Sequence, residues 1–506
     1  MSNASRHHPI HRRHALALAA AAVLGPLSAT PAAAAVCTWD TTNGNWSAIT
    51  NWLGCVTGNG NPVQTPGSND TANIGGSGVV TIDSAQSVLN LNNAGQINLD
   101  AFTLTLVGGG ATVNTGIINV GSATSAALQV SGGHNINNAG GVINVANGSV
   151  LNQFGSTISG GTINTTGDGK VVGFASGSNF LDGLTLNGTL DLASATGVER
   201  VTNGLTLNGS VNIGKGSVLA PQGDQTIGGN GSIVFADNNG GNRFNTEAGN
   251  LVLGSGITVR GDTGVIGAQN FVGGAATLTN HGTIQADVAG GTITLAVNGG
   301  VINDGTMRAQ DGTLTVSSAL VNNGTLRADA AGIMNLPTNF ANDGLMTGVG
   351  KFALSGTLAN NGHMRPGTPG GEPGALTLEG SYAQGAGGWF DVGLDGANFG
   401  SLAVSGSAML DGTIGVICEG ACDYAVGTSW IVMMTGGGNL VTGTFAGPVA
   451  MSGFSSGAFS VTYLSNQVIL NVTEATVGVV PEPGTVALML AGLAAVGFAS
   501  KRRRDA

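Results

Sequence analysis

Asn280-His281-Gly282-Thr283-Ile284, Asn303-Asp304-Gly305-Thr306-Met307, Asn322-Asn323-Gly324-Thr325-Leu326, Asn342-Asp343-Gly344-Leu345-Met346 and Asn360-Asn361-Gly362-His363-Met364 are copies of one pattern. Each sets Asn, or Asn followed by Asp, ahead of a glycine and a short apolar or β-branched run. The glycines lie 23, 19, 20 and 18 residues apart. Upstream, Leu184-Thr185-Leu186-Asn187-Gly188 returns as Leu205-Thr206-Leu207-Asn208-Gly209, 21 residues on. Ile117-Ile118-Asn119-Val120 returns as Val142-Ile143-Asn144-Val145, 25 residues on. Such a period, without helical periodicity, predicts a solenoid. Short strands form its sides, and Asn-Gly or Asp-Gly supplies positive-φ corners between them. Stacked coils pair each strand with its equivalent one turn away, at roughly 4.8 Å. Asparagines at equivalent corners then form a hydrogen-bonded ladder. The fold class is all-β, a parallel β-helix. From Asp70 to Gly380 it predicts roughly 15 coils and a rod on the order of 70 Å long. An array of β-sandwiches is the alternative, since drifting spacings occur there too.

Both ends of the chain carry segments of another kind. Arg6, Arg12 and Arg13, the apolar run Ala15–Leu27 and the site Thr30-Pro31-Ala32-Ala33-Ala34-Ala35 make a secretory signal peptide that ends at Ala35. At the far end stands Pro481-Glu482-Pro483-Gly484, a hinge whose prolines exclude helix. An uncharged run of 16 residues, Thr485–Ser500, follows, then Lys501, Arg502, Arg503 and Arg504. The run falls short of the roughly 20 residues of an ordinary span, so its arginines must snorkel, with the cationic end cytoplasmic. Ala487, Ala491, Ala495 and Ala499 give this short transmembrane helix a small-residue face.

Hinge, short span and arginine cluster together resemble the PEP-CTERM sorting signal of Gram-negative bacteria. The resemblance implies an exosortase-type membrane protease or transpeptidase that cuts near Pro481-Glu482-Pro483. The precursor would sit in the inner membrane through its C-terminal helix. The body would then pass to the cell envelope, cell surface or extracellular matrix.

Between the two signals the chain holds 9 basic and 25 acidic residues, so the exported body carries about 16 negative charges. That balance excludes a nucleic-acid partner. The four cysteines fall into two local pairs, Cys37 with Cys55 and Cys418 with Cys422. In an exported protein these read as two disulfides. Zinc is the rival reading, and it fails for want of a nearby histidine.

A solenoid needs covers over its open edges. Trp39, Trp46 and Trp52 lie in the first cysteine loop, and Pro66-Gly67-Ser68-Asn69-Asp70-Thr71-Ala72 follows. The tryptophans close the apolar interior or, alternatively, form a sugar-stacking platform. This arrangement resembles the start of autotransporter-like β-strand-repeat passengers. Arg365-Pro366-Gly367-Thr368-Pro369-Gly370, Gly374–Tyr382 and Leu402–Ile414 resemble their closing coils. That resemblance implies a β-helix displayed at the surface, without catalytic activity. The sorting tail stands where an outer-membrane barrel would follow, so self-translocation is not expected. The division is a signal peptide (1–35), an N-terminal capping segment (36–70), β-helix repeats (71–380), a β-rich C-terminal cap (381–474) and the sorting signal (475–506).

Motifs that suggest chemistry are weak. Gly209–Gly216 nearly spells a phosphate loop, but ends in Gly where Ser or Thr should hold magnesium. Gly453-Phe454-Ser455-Ser456-Gly457 fits a nucleophile elbow, yet no histidine follows it. His134, His281 and His363 read as exposed corner residues. Polysaccharide cleavage needs convergent carboxylates, whereas Asp182, Asp191, Asp304, Asp311, Asp329 and Asp343 look periodic. No catalytic residue, cofactor or metal is expected. The predicted function is a structural or adhesive protein of surface or exopolysaccharide matrix, with exopolysaccharide a candidate partner through weak, multivalent contacts. The alternative is a β-helix that binds or degrades polysaccharide as a lyase or hydrolase.

Overall fold

The computed structural model describes residues 34–56, 64–121, 124–368 and 371–478. Its body is a parallel β-solenoid of about 15 turns, about 1% helical. A single 3-10 turn, Ile49–Asn51, is its helical element among the described residues. The sandwich alternative is therefore set aside. Each coil has three sides. The first sheet begins at Val36–Trp39 and adds Thr71–Ile74, Asn90–Asn93 and so on in parallel, down to Ser401–Val404 and Ser429–Thr435. The second runs from Asn43–Asn45 through Val79–Ile82 and Gln96–Leu99 to Ala408–Leu410 and Val441–Gly443. The third runs from Gln86–Val88 and Thr103–Leu106 to Thr413–Cys418 and Ala450–Ser452. Parallel stacking thus continues across residue 380.

Alternation within each short strand decides what is inside. On the third sheet Val259, Ile284, Met307, Leu326, Met346, Met364, Phe390 and Ile414 fall in register, each at most 1% exposed. Burying each such side chain stabilises by about 1.5–3 kcal/mol. Every coil contributes similar columns from all three sides, so the core is one apolar filament.

The corner between the second and third sides holds the asparagine ladder. Asn280 Nδ2 donates to Asn303 Oδ1 at 2.8 Å, Asn303 to Asn322 at 2.7 Å, Asn322 to Asn342 at 2.7 Å and Asn342 to Asn360 at 3.0 Å. All five asparagines are fully buried. The second amide hydrogen is also engaged. Asn342 Nδ2 reaches the carbonyl of Gly344 at 2.9 Å, and its equivalents reach Gly282, Gly305 and Gly324. Asn360 passes the chain on to Tyr382 Oη, which donates to Gln384 Oε1 at 2.7 Å. Only a side chain with both donor and acceptor faces can repeat this step.

The glycines beside this ladder do not serve as the sequence pattern suggests. Gly282, Gly305, Gly324, Gly344 and Gly362 are absent from the positive-φ residues. A Cβ on Gly305 would overlap the carbonyl oxygen of Gly282, and the same clash recurs with Gly305 under Gly324 and Gly324 under Gly344. Close stacking of successive backbones, not left-handed φ, excludes a side chain here. Positive φ is the reason at other corners, such as Gly148 (φ 72°) and Gly183 (φ 61°).

At the N-terminal end Trp39, Trp46 and Trp52 are buried and packed edge to face, with centroids 5.0 and 4.8 Å apart. Trp52 Nε1 donates to the Trp46 carbonyl at 2.8 Å. Asp70 explains the Pro-Gly-x-x-Asp pattern: its carboxylate accepts the N–H groups of Ala35 at 2.8 Å and Gly67 at 2.9 Å. Cys37 is bonded to Cys55 and Cys418 to Cys422, with Cα atoms 4.7 and 5.8 Å apart. At the C-terminal end Phe454–Tyr463 and Gln467–Gly478 form an antiparallel hairpin that pairs with Ser429–Thr435. This covers the last edge of the first sheet.

Candidate functional site

The outer surface of the third side gathers polar side chains that the sequence scatters. Arg260 pairs in register with Gln285, Gln285 with Arg308, Arg308 with Arg327, Arg327 with Thr347 and Thr347 with Arg365. Four of the body's nine basic residues thus stand in one column, Arg308 and Arg327 one rung apart and Arg260 and Arg365 each two rungs from the nearest arginine. Three carboxylates hold them. Arg260 Nε meets Asp287 at 2.7 Å. Asp329 takes both Arg308 (2.5 Å) and Arg327 (2.6 Å). Arg365 pairs with Glu419. Two residues back, Thr258, Thr283, Thr306 and Thr325 make a parallel threonine column.

This strip leads to a cavity of about 520 Å³ near the C-terminal end. His363 pairs with Trp389 across the sheet, and their rings stack at 5.6 Å and 18°. His363 Nδ1 donates to Asp391 Oδ2 at 2.6 Å. Beyond Asp391 the next two positions in register are Gly415 and Ala450. Their lack of bulk opens the cavity, which Trp389, His363, Arg365 and Asp391 border.

The residues singled out from sequence are distributed differently. Trp39, Trp46 and Trp52 are closed off from solvent, which assigns them to the cap rather than to a sugar platform. His281 and His363 are exposed as expected, but His134 is not. It is fully buried, bonded through Nε2 to Thr112 Oγ1 (2.9 Å) and through Nδ1 to the Val107 carbonyl (2.8 Å). Burial holds its pKa below 6.5, partly offset by the Val107 bond. Its corner turns inward, and the hydroxyl and carbonyl make that tolerable. Gly209–Gly216 is strand Ser210–Ile213 and the following corner, with no helix for a phosphate. Ser455 and Ser456 lie within strand Phe454–Tyr463.

Trp389, Asp391 and Glu419 were not singled out from sequence. A signal for the arginine column existed: Gly305-Thr306-Met307-Arg308 and Gly324-Thr325-Leu326-Arg327 place arginine at one offset, as does Gly362-His363-Met364-Arg365.

Pro481, Glu482, Pro483, Gly484, Arg502, Arg503 and Arg504, with the predicted membrane helix and residues 1–33 of the predicted signal peptide, lie outside the described residues. Among the described residues no helix is long and apolar enough to cross a membrane. Residues 479–504 match the PEP-CTERM protein-sorting motif. The PEP-CTERM signal implies a secreted, membrane-anchored precursor bound for the cell surface and processed by an exosortase. No curated protein matches the chain.

Proposed function

We propose that the protein is a non-enzymatic structural or adhesive rod of the surface or exopolysaccharide matrix of a Gram-negative bacterium, inserted in the inner membrane by its C-terminal helix until exosortase cleavage. The observation that carries this reading is the PEP-CTERM motif behind a solenoid body. A solenoid grows by repetition and presents long regular sides, which suits multivalent contact with a polymer. Three carboxylates along the strip, Asp287, Asp329 and Glu419, are held by arginines, which favours a structural role for them.

Deleting Pro481–Ala506 tests the reading. The truncated protein is expected to leave the envelope fraction, and matrix formation is expected to fall with it. Unchanged fractionation and matrix would refute it. Catalysis is checked separately: new reducing ends or unsaturated products from polysaccharide would establish a hydrolase or lyase instead.

A further inference from the structure

We propose that the outer strip of the third side, from Arg260 to the cavity at Trp389, binds a neutral polysaccharide lying along the rod axis. This deepens the adhesive reading and rests on it. Four observations converge. The cavity, about 520 Å³, is of ordinary small-ligand size. It is bordered by one indole, which the His363 ring covers on one face, and the remaining aromatic surface can pack against the apolar C–H face of a pyranose. Around the indole stand donors and acceptors of several kinds: the Arg365 guanidinium, the Asp391 carboxylate and the His363 imidazole. A planar guanidinium can engage two neighbouring hydroxyls, and the ring nitrogen and carboxylate oxygen left over from the His363–Asp391 bond can each engage one. Finally, a polar side chain recurs along the strip at one rung, roughly 4.8 Å, per step: Arg365, Thr347, Arg327, Arg308, Gln285 and Arg260. That step is comparable to one sugar in an extended chain, so successive sugars each meet a hydrogen-bonding side chain.

Charge decides which polysaccharide. The four arginines share three carboxylates, Asp287, Asp329 and Glu419, Asp391 stands beside Arg365 at the cavity, and Asp304 and Asp343 line the neighbouring corner. The body as a whole carries about 16 negative charges. A polyuronate would meet repulsion with no unmatched cationic groove to offset it. Hydroxyls need no net charge, and an arginine paired to a carboxylate keeps further N–H donors for them.

The test is titration of the full chain in mild detergent with glucan, mannan and galactan hexasaccharides and with an alginate hexasaccharide. At least one neutral probe should bind. Trp389→Ala and, independently, Ala450→Leu, which fills the cavity from its edge strand, should each weaken binding about tenfold or more. Arg308→Ala, farther along the strip, should weaken it by a smaller factor. Lys351→Ala, on the first side, should leave it unchanged. Each variant is checked for an unchanged melting transition, and Ala450→Leu keeps the test valid if Trp389→Ala unfolds. Binding of alginate alone, no neutral binding, or affinity equal to the native chain's in both cavity variants would overturn the proposal. Failure here with a positive tail-deletion result would leave the scaffold role standing. Binding with unchanged fractionation would instead sink the sorting and display reading alone.

Discussion

Asn322 and Asn323 are neighbours in sequence with opposite fates, and replacing each by alanine separates the ladder from its surface. Asn322 is fully buried, accepts from Asn303 at 2.7 Å and donates to Asn342 at 2.7 Å. Asn322→Ala leaves the Asn303 amide and the Asn342 carbonyl each without their partner. An orphaned buried polar group costs about 1–3 kcal/mol, so the pair should cost roughly 4 kcal/mol. Asn322→Leu restores most of the volume but orphans the same two groups. It should therefore remain destabilising, which distinguishes lost hydrogen bonds from a cavity. Asn323 donates to Asp304 Oδ1 at 2.9 Å in solvent, and Asn323→Ala should shift stability by no more than about 0.5 kcal/mol. Denaturant unfolding followed by circular dichroism gives the totals. Solenoid energies are nearest-neighbour sums, so amide exchange should quicken first in the strands flanking the ladder at 303–342. Equal losses for Asn322→Ala and Asn323→Ala, or a neutral Asn322→Leu, would refute the reasoning.

Gly324→Ala should destabilise by about 1–3 kcal/mol through overlap with the Gly305 carbonyl, whereas Gly240, with open space around it and no positive φ, should accept alanine with little change in melting temperature. Glu199 is wholly buried, neither carboxyl oxygen has a hydrogen-bond partner, and burial pushes its pKa well above 4.5. Its folded pKa being raised, its contribution is complete below pH 4.5 and is lost as pH rises toward the folded value; Glu199→Gln should therefore gain stability over the native chain progressively above pH 4.5, measured by denaturant midpoints. Replacing both Cys37 and Cys55 by Ser opens a loop of sequence separation 18 and should cost about 3 kcal/mol, read as earlier loss of the near-ultraviolet signal of the tryptophan cap.

The period was legible because the ladder is strict. A corner that must stack an amide on an amide tolerates little but Asn, so Asn303, Asn322, Asn342 and Asn360 announce their own register. The reason for the adjoining glycines was not legible, since a turn and a close backbone approach demand the same residue. His134 was misplaced because a corner can face inward when Thr112 and a carbonyl wait for it, and that depends on coils one turn away. The site at Trp389 was hidden for a similar reason. His363 and Asp391 are 28 residues apart, and only the pairing of His363 with Trp389 shows that they share a side. Both cysteine pairs were readable from proximity, and export supplied the oxidising context.

The most direct test of display through the C-terminal signal is mass spectrometry of the protein recovered from the cell surface. Its chain should begin after Ala35 and end near Pro481-Glu482-Pro483-Gly484, without Arg502, Arg503 and Arg504. Surface protein that retains the arginine cluster, or a chain found only in the cytosol with its first 35 residues intact, would contradict exosortase-dependent display of a solenoid rod.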